Sequence, residues 1–179
     1  MKTALLVIDV QVGIIDHFPS FNKDRVLANI NDLLTRARAS RVPVIYLRHD
    51  GGKGDSLEAH TPGWPIHQRV APADGEPIVD KQSCSSFYNT PLQTMLLEAG
   101  ISHLVVTGCM TEYCIDTACR HATTLGFDVT LAGDGHTTVD NDLLKAEQII
   151  AHHNRALNGF NSGVNTVTVK PSSKITFPI

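Results

Sequence analysis

The chain has 179 residues, 42% of them hydrophobic, enough to bury the core of one α/β domain. Its formal net charge of −3 is spread over mixed signs with no basic stripe, which excludes a general nucleic-acid surface. The longest apolar runs are strand-length, so no membrane contact is expected, and four cysteines in a chain with no signal peptide point to reduced thiols in the cytoplasm.

Residues 3–8 form a nearly continuous apolar run, the pattern of a strand buried on both faces. Asp9 closes it. A carboxylate there is not needed for packing, and a partly buried one has a raised pKa suited to a general base. Gln11, two residues on, and Phe18 are candidate pocket residues. Val26, Leu27, Ile30, Leu33, Leu34 and Ala37 recur at helical spacing and predict a helix over residues 21–39. Residues 42–47 read as a second strand, followed by a polar, Gly/Pro/His-rich segment over 48–76. So long a loop reads as a lid or an assembly contact. It carries His49, a rival base to Asp9, and Trp64, which either stacks on a substrate or anchors the loop.

Residues 77–80 form a short third strand, with Lys81 at its end. An ammonium there would stabilise a thiolate and an ionised Asp9. Phe87 lies in the loop beyond, a candidate pocket wall. Residues 91–99 read as a helix stopped by Gly100, and residues 101–106 as strand four. Then comes Gly108-Cys109-Met110-Thr111-Glu112-Tyr113-Cys114, the most informative stretch. Ile115, Ala118, Cys119, Ala122 and Leu125 form the apolar stripe of the next helix, which leaves Cys114 in its first turn and off the stripe. Unpaired N–H groups at a helix start favour a thiolate and can hold an oxyanion, so Cys114 has the position of a nucleophile. Cys109 and Cys119 are read as structural, and their spacing fits no usual zinc or redox motif, so no metal is expected.

Strand five (127–132), a helix from Leu143 to Leu157 and strand six (165–170) complete the chain. The order predicts one domain, 1–179: a three-layer α/β fold with six mostly parallel strands and helices on both faces. Ligands bind outside the carboxyl ends of such strands, where Asp9, His49, Lys81 and Cys114 all fall.

The ordered set Leu5-Leu6-Val7-Ile8-Asp9-Val10-Gln11, Lys81 with Ser85-Ser86-Phe87, the Gly108 to Cys114 stretch and Asp134-Gly135-His136-Thr137-Thr138 resembles the isochorismatase-like cysteine hydrolases over nearly the whole chain. The resemblance implies a Rossmann-type sheet and an Asp9–Lys81–Cys114 triad. It implies an oxyanion hole from the Cys114 and Tyr113 N–H groups, and a cis peptide between Met110 and Thr111. Met110, Thr111, Tyr113, Gln11, Phe18, Trp64, Phe87 and His49 are the expected substrate pocket. The expected activity is cofactor-free hydrolysis of a C–N bond in a small molecule, by a homo-oligomer. Vinyl ether cleavage releasing pyruvate, and a thiol-sensing or binding role, are the competing readings. The nicotinamidase metal pattern is not met, because Arg48-His49-Asp50 has the wrong order.

Overall fold

The computed structural model describes residues 2–177. Strand β1 (Thr3–Ile8) leads through a short helix α1 (Val12–Ile15) into α2 (Lys23–Ala39) and β2 (Val44–His49). After the long loop come β3 (Ile78–Lys81), α3 (Leu92–Glu98) and β4 (His103–Cys109). A π-helical turn, Thr111–Ile115, runs directly into α4 (Asp116–Thr124), then β5 (Asp128–Thr137), α5 (Ala146–Leu157), β6 (Asn161–Ser162) and β7 (Asn165–Lys170). The sheet order is β3-β2-β1-β4-β5-β7-β6, parallel except for β6 against β7. There are thus seven strands where six are expected. The addition is a two-residue strand in a polar hairpin, too short to leave a periodic signal.

Alternation along β1 builds the three layers. Ala4, Leu6 and Ile8 face a core shared with Leu92 and Leu96 of α3, Ala118, Cys119 and Ala122 of α4, and Leu157 of α5. Leu5 and Val7 face the other core, against Val26, Leu27, Ile30, Leu33 and Leu34 of α2. Every β1 residue is buried, so the strand reads as one apolar run. No described helix is long and apolar enough to cross a membrane.

Two departures from the expected elements shape the site. Strand β5 continues to Thr137 instead of ending at Ala132, with a register break opposite Val106 and Gly108. The extension carries the buried His136 beneath the π-helical turn. There its Nδ1 pairs with Thr111 Oγ1 at 2.8 Å and its Nε2 with Asn154 Oδ1 at 3.0 Å. In turn, Asn154 Nδ2 donates to Gly133 O at 2.9 Å.

Burial pushes the His136 pKa down to about 4, so the ring is neutral in the fold. The unfolded chain binds this proton below about pH 6.5 and the native chain does not. The contribution is therefore fully present above that value and falls away as pH drops toward 4. Between pH 7 and pH 5 about 2 kcal/mol of stability is expected to be lost from this group. Urea midpoints at the two pH values would show it as a fall that is reduced in His136→Gln.

Candidate active site

Four segments meet at the carboxyl edge of β1, β3 and β4. The first is the turn after β1. Asp9 has φ 51, a left-handed conformation that few side chains adopt and that Asp tolerates better than most. Its N–H donates to Leu47 O at 2.9 Å, and its side chain turns inward, 1% exposed. Gln11, fully buried, ties three segments together. Its Oε1 accepts from His49 N at 2.8 Å, and its Nε2 donates to His49 O at 2.9 Å and to Trp64 O at 2.7 Å.

The second segment is the end of β3. Lys81, with its side chain fully buried, places Nζ 2.7 Å from Asp9 Oδ2. The same ammonium donates to Cys114 Sγ at 3.3 Å and to Ser83 O at 2.9 Å. Two residues far from Lys81 in sequence, Asp9 and Cys114, thus converge on its nitrogen. A cavity of about 390 Å³ opens beside Lys81, lined also by Asp50, Asp80, Gln82 and Tyr88.

The third segment is the turn that presents Cys114. Ile115 N reaches back five residues to Met110 O at 3.2 Å, which widens the turn beyond an α-helix. The Thr111–His136 hydrogen bond fixes it from below. The cis peptide lies between Cys109 and Met110, one residue before the expected position, because the bend falls where β4 ends and Met110 already caps the turn. Tyr113 N–H also donates to Met110 O at 3.2 Å. The second expected oxyanion donor is therefore already engaged.

The charges differ from the expectation at the thiol. Burial raises the Cys114 pKa and the Asp9 carboxylate raises it further, while Lys81 only partly offsets them. The turn's partial charge does not leave a resting thiolate. Burial likewise raises Asp9 against the opposing pull of Lys81. For Lys81, burial acts downward, but Asp9 and Cys114 together hold it above its ordinary value. The resting arrangement is an ammonium and a neutral thiol beside a carboxylate more basic than usual. Breaking this pair from one side leaves an uncompensated buried charge. Lys81→Met is expected to cost about 3–5 kcal/mol. Asp9→Asn together with Lys81→Met should cost less than the sum of the two single changes. Urea unfolding of the four proteins measures that coupling.

The fourth segment is the long loop. Val12 N bonds Pro65 O at 3.0 Å, Gly13 N bonds Gly63 O at 2.8 Å and His67 N bonds Val10 O at 2.8 Å. The Trp64 ring lies under the Arg48 guanidinium at 3.5 Å, and Arg48 is paired with Asp80 at 2.7 Å. Trp64 therefore serves as an anchor of the loop. His60 packs on that ring at 4.8 Å, and His67 Nε2 lies 3.4 Å from Asp16. Among the described residues no three His, Cys, Asp or Glu side chains converge as metal ligands.

Other expected pocket residues fall elsewhere. Phe87 is buried in the core, stacked on Phe127 at 6.1 Å and edge-on to His121 at 5.5 Å. Phe18 lines a surface hollow with Asn22, Lys23 and Arg25 at the start of α2. Met110 packs toward the α2 core, Thr111 is buried on His136, and the Tyr113 side chain is exposed. The hydrogen-bonding roles of Gln11 and His136 are not visible in any local pattern. Only the position of each after a strand hints at them.

The sequence model of the isochorismatase domain matches residues 3–169. A streptothricin hydrolase of Streptomyces noursei is 40% identical over 76% of this chain and 55% of its own length. The chain spans about half the length of the streptothricin hydrolases it matches. Nicotinamidase 3 of Arabidopsis thaliana is 32% identical over 80% of this chain and 77% of its own. The crystal structure of an isochorismatase-family chain from Chromobacterium violaceum superposes with a TM-score of 0.86 at 31% identity, covering 96% of this chain and 90% of that one.

Proposed function

Since this chain belongs to the isochorismatase family, we propose that it is a cysteine hydrolase that cleaves a C–N bond of a small carboxamide, carbamoyl or ureide compound. The observation that carries this reading is the buried convergence of Asp9, Lys81 and Cys114 on one ammonium, at 2.7 and 3.3 Å. A structural ion pair has no need of a thiol as third member. A nucleophile needs a base and a fixed positive charge beside it.

Each step follows from the charges. The substrate carbonyl approaches Cys114 at the edge of the sheet. Sulfur attacks the carbon while Asp9 takes the thiol proton, so a free thiolate need not accumulate. The Cys114 N–H serves as the oxyanion donor in this reading, and Lys81 balances the charge. Asp9 then passes its proton to the nitrogen, the C–N bond breaks, and ammonia or an amine leaves. Water, relieved of a proton by Asp9, opens the thioester and releases the acid, and the thiol is restored. Basicity above that of an ordinary carboxylate suits Asp9 to both transfers.

The test is an ammonia-release screen over small amides, ureides, nicotinamide and carbamoyl compounds, with Cys114→Ala in parallel. Release by the native chain alone supports the reading. Pyruvate release from isochorismate, undiminished in the variant, would replace it with vinyl ether cleavage.

A further inference from the structure

The turn that presents Cys114 is wider than an α-helix over two consecutive hydrogen bonds. Ile115 N reaches Met110 O and Asp116 N reaches Thr111 O, each five residues back. Such spacing is rare and recurs at functional sites, and a free chain settles into the four-residue spacing that α4 takes up just beyond. Packed against the turn is His136 of Asp134-Gly135-His136-Thr137-Thr138, a stretch that the catalytic steps leave without a role. Its hydrogen bonds have only one possible direction. Gly133 O can only accept, so Asn154 Nδ2 is its donor at 2.9 Å, and Asn154 Oδ1 is left as an acceptor. The His136 Nε2 facing that oxygen at 3.0 Å must then carry the ring proton. The neutral ring keeps its lone pair on Nδ1, and the Thr111 hydroxyl donates to it at 2.8 Å. Thr111 is 0% and His136 1% exposed, so solvent water cannot stand in for either partner.

We propose that His136 is a positioning residue for the hydrolysis: backed by Asn154, it holds Thr111 so that the turn stays wide and Cys114 Sγ stays at the Lys81 ammonium, 3.3 Å away. Thr111 opens the turn and Cys114 lies three residues on, so the point at which Thr111 is tied to β5 and α5 sets where the sulfur points. With the tie cut, Ile115 N is free to take the Thr111 carbonyl, its α-helical partner, and the turn tightens into α4. Cys114 then rotates away from Lys81 and from the carboxylate that takes its proton. A displacement of this kind, remote from the bond being broken, lowers the rate steeply because attack needs close alignment of sulfur and carbonyl carbon. The buried Thr111 and His136 side chains lie behind the turn, so the tie governs turnover and leaves binding alone. This role rests on the thiol-hydrolase reading and deepens it.

Variants of the full chain test it on whichever amide the native protein hydrolyses. Thr111→Val removes the hydroxyl and keeps the shape; kcat is expected to fall at least ~10-fold with KM within about twofold. Thr111→Ser restores the donor and should bring kcat back to within about threefold of native. Asn154→Ala, at the half-buried end of the chain of bonds, frees the ring and should lower kcat about fivefold. Ile30→Val trims a fully buried side chain of α2 away from the site, so it should lower the melting temperature and leave kcat native. Calorimetry on Cys114→Ala, which binds without turnover, should give the same amide affinity within about twofold once Thr111→Val is added. Native kcat in Thr111→Val or in Asn154→Ala overturns the assignment. So does a loss in Thr111→Ser as deep as in Thr111→Val, or an affinity lost in step with turnover. A fall of kcat in Ile30→Val matching its fall in melting temperature would reduce the effect to general destabilisation and overturn it too. If Thr111→Val is fully active while Cys114→Ala is dead, only the positioning role fails. If Cys114→Ala keeps full turnover, the hydrolase reading itself fails.

Discussion

Cys114→Ala is expected to lower turnover of the hydrolysed amide by at least ~10⁴-fold, about 5.5 kcal/mol of barrier. The size follows from what is removed. Without sulfur there is no covalent intermediate, and the single difficult step of amide hydrolysis returns. Asp9 remains as a base and can still activate water, so some residual rate is expected above the uncatalysed reaction. Cys114→Ser should fall nearly as far, since a hydroxyl gives up its proton far less readily than a thiol and Lys81 already fails to hold a thiolate. Neither change should destabilise the fold much: Cys114 is small and its neighbours Asp9 and Lys81 stay paired at 2.7 Å. Steady-state rates with urea midpoints separate the two effects. Full activity in Cys114→Ala would end the thioester mechanism.

Gly108→Ala is expected to be the most damaging single methyl in the chain, costing more than about 4–5 kcal/mol and abolishing soluble yield. Gly108 has φ +124, a conformation that L side chains rarely adopt, and a Cβ built there would lie 1.9 Å from Ile8 O. That carbonyl belongs to the neighbouring strand at the matching register position, so it cannot retreat without parting β1 from β4. The same movement would displace Asp9 and Cys114, which follow these two strands. Gly126→Ala is the control. It also has a positive φ, +91, but nothing lies within 4 Å of the added carbon. It should cost about 1 kcal/mol, the conformational part alone. Equal urea midpoints for the two variants would refute the close-approach explanation.

Cys114 and Asp9 also show how much of the molecule its sequence discloses. Cys114 stands out because the apolar stripe of α4 passes it by, and Asp9 because it interrupts an apolar strand. Both are contrasts against a local period. The same holds for Lys81 at the end of a strand. Most core elements follow from period in this way, with boundaries shifted by a residue or two: β2 runs over Val44–His49 where 42–47 is expected, because its last two residues are polar but still paired with β3.

Period and position therefore determined the parallel α/β class and the gathering of Asp9, His49, Lys81 and Cys114 along one edge. The tertiary structure alone decided what each side chain meets there. Gln11 clamping His49 and Trp64, Arg48 claiming the Trp64 ring, Phe87 turning into the core and His136 rising under Thr111 are all contacts between residues at least 16 positions apart. So is the resting thiol, whose neutrality comes from burial and from Asp9, more than 100 residues earlier. A hydrophobic period reports which face of an element avoids water, and that is a property of a few consecutive residues. Hydrogen-bond partners and local dielectric depend on the register of packed elements, which exists only after the sheet has closed.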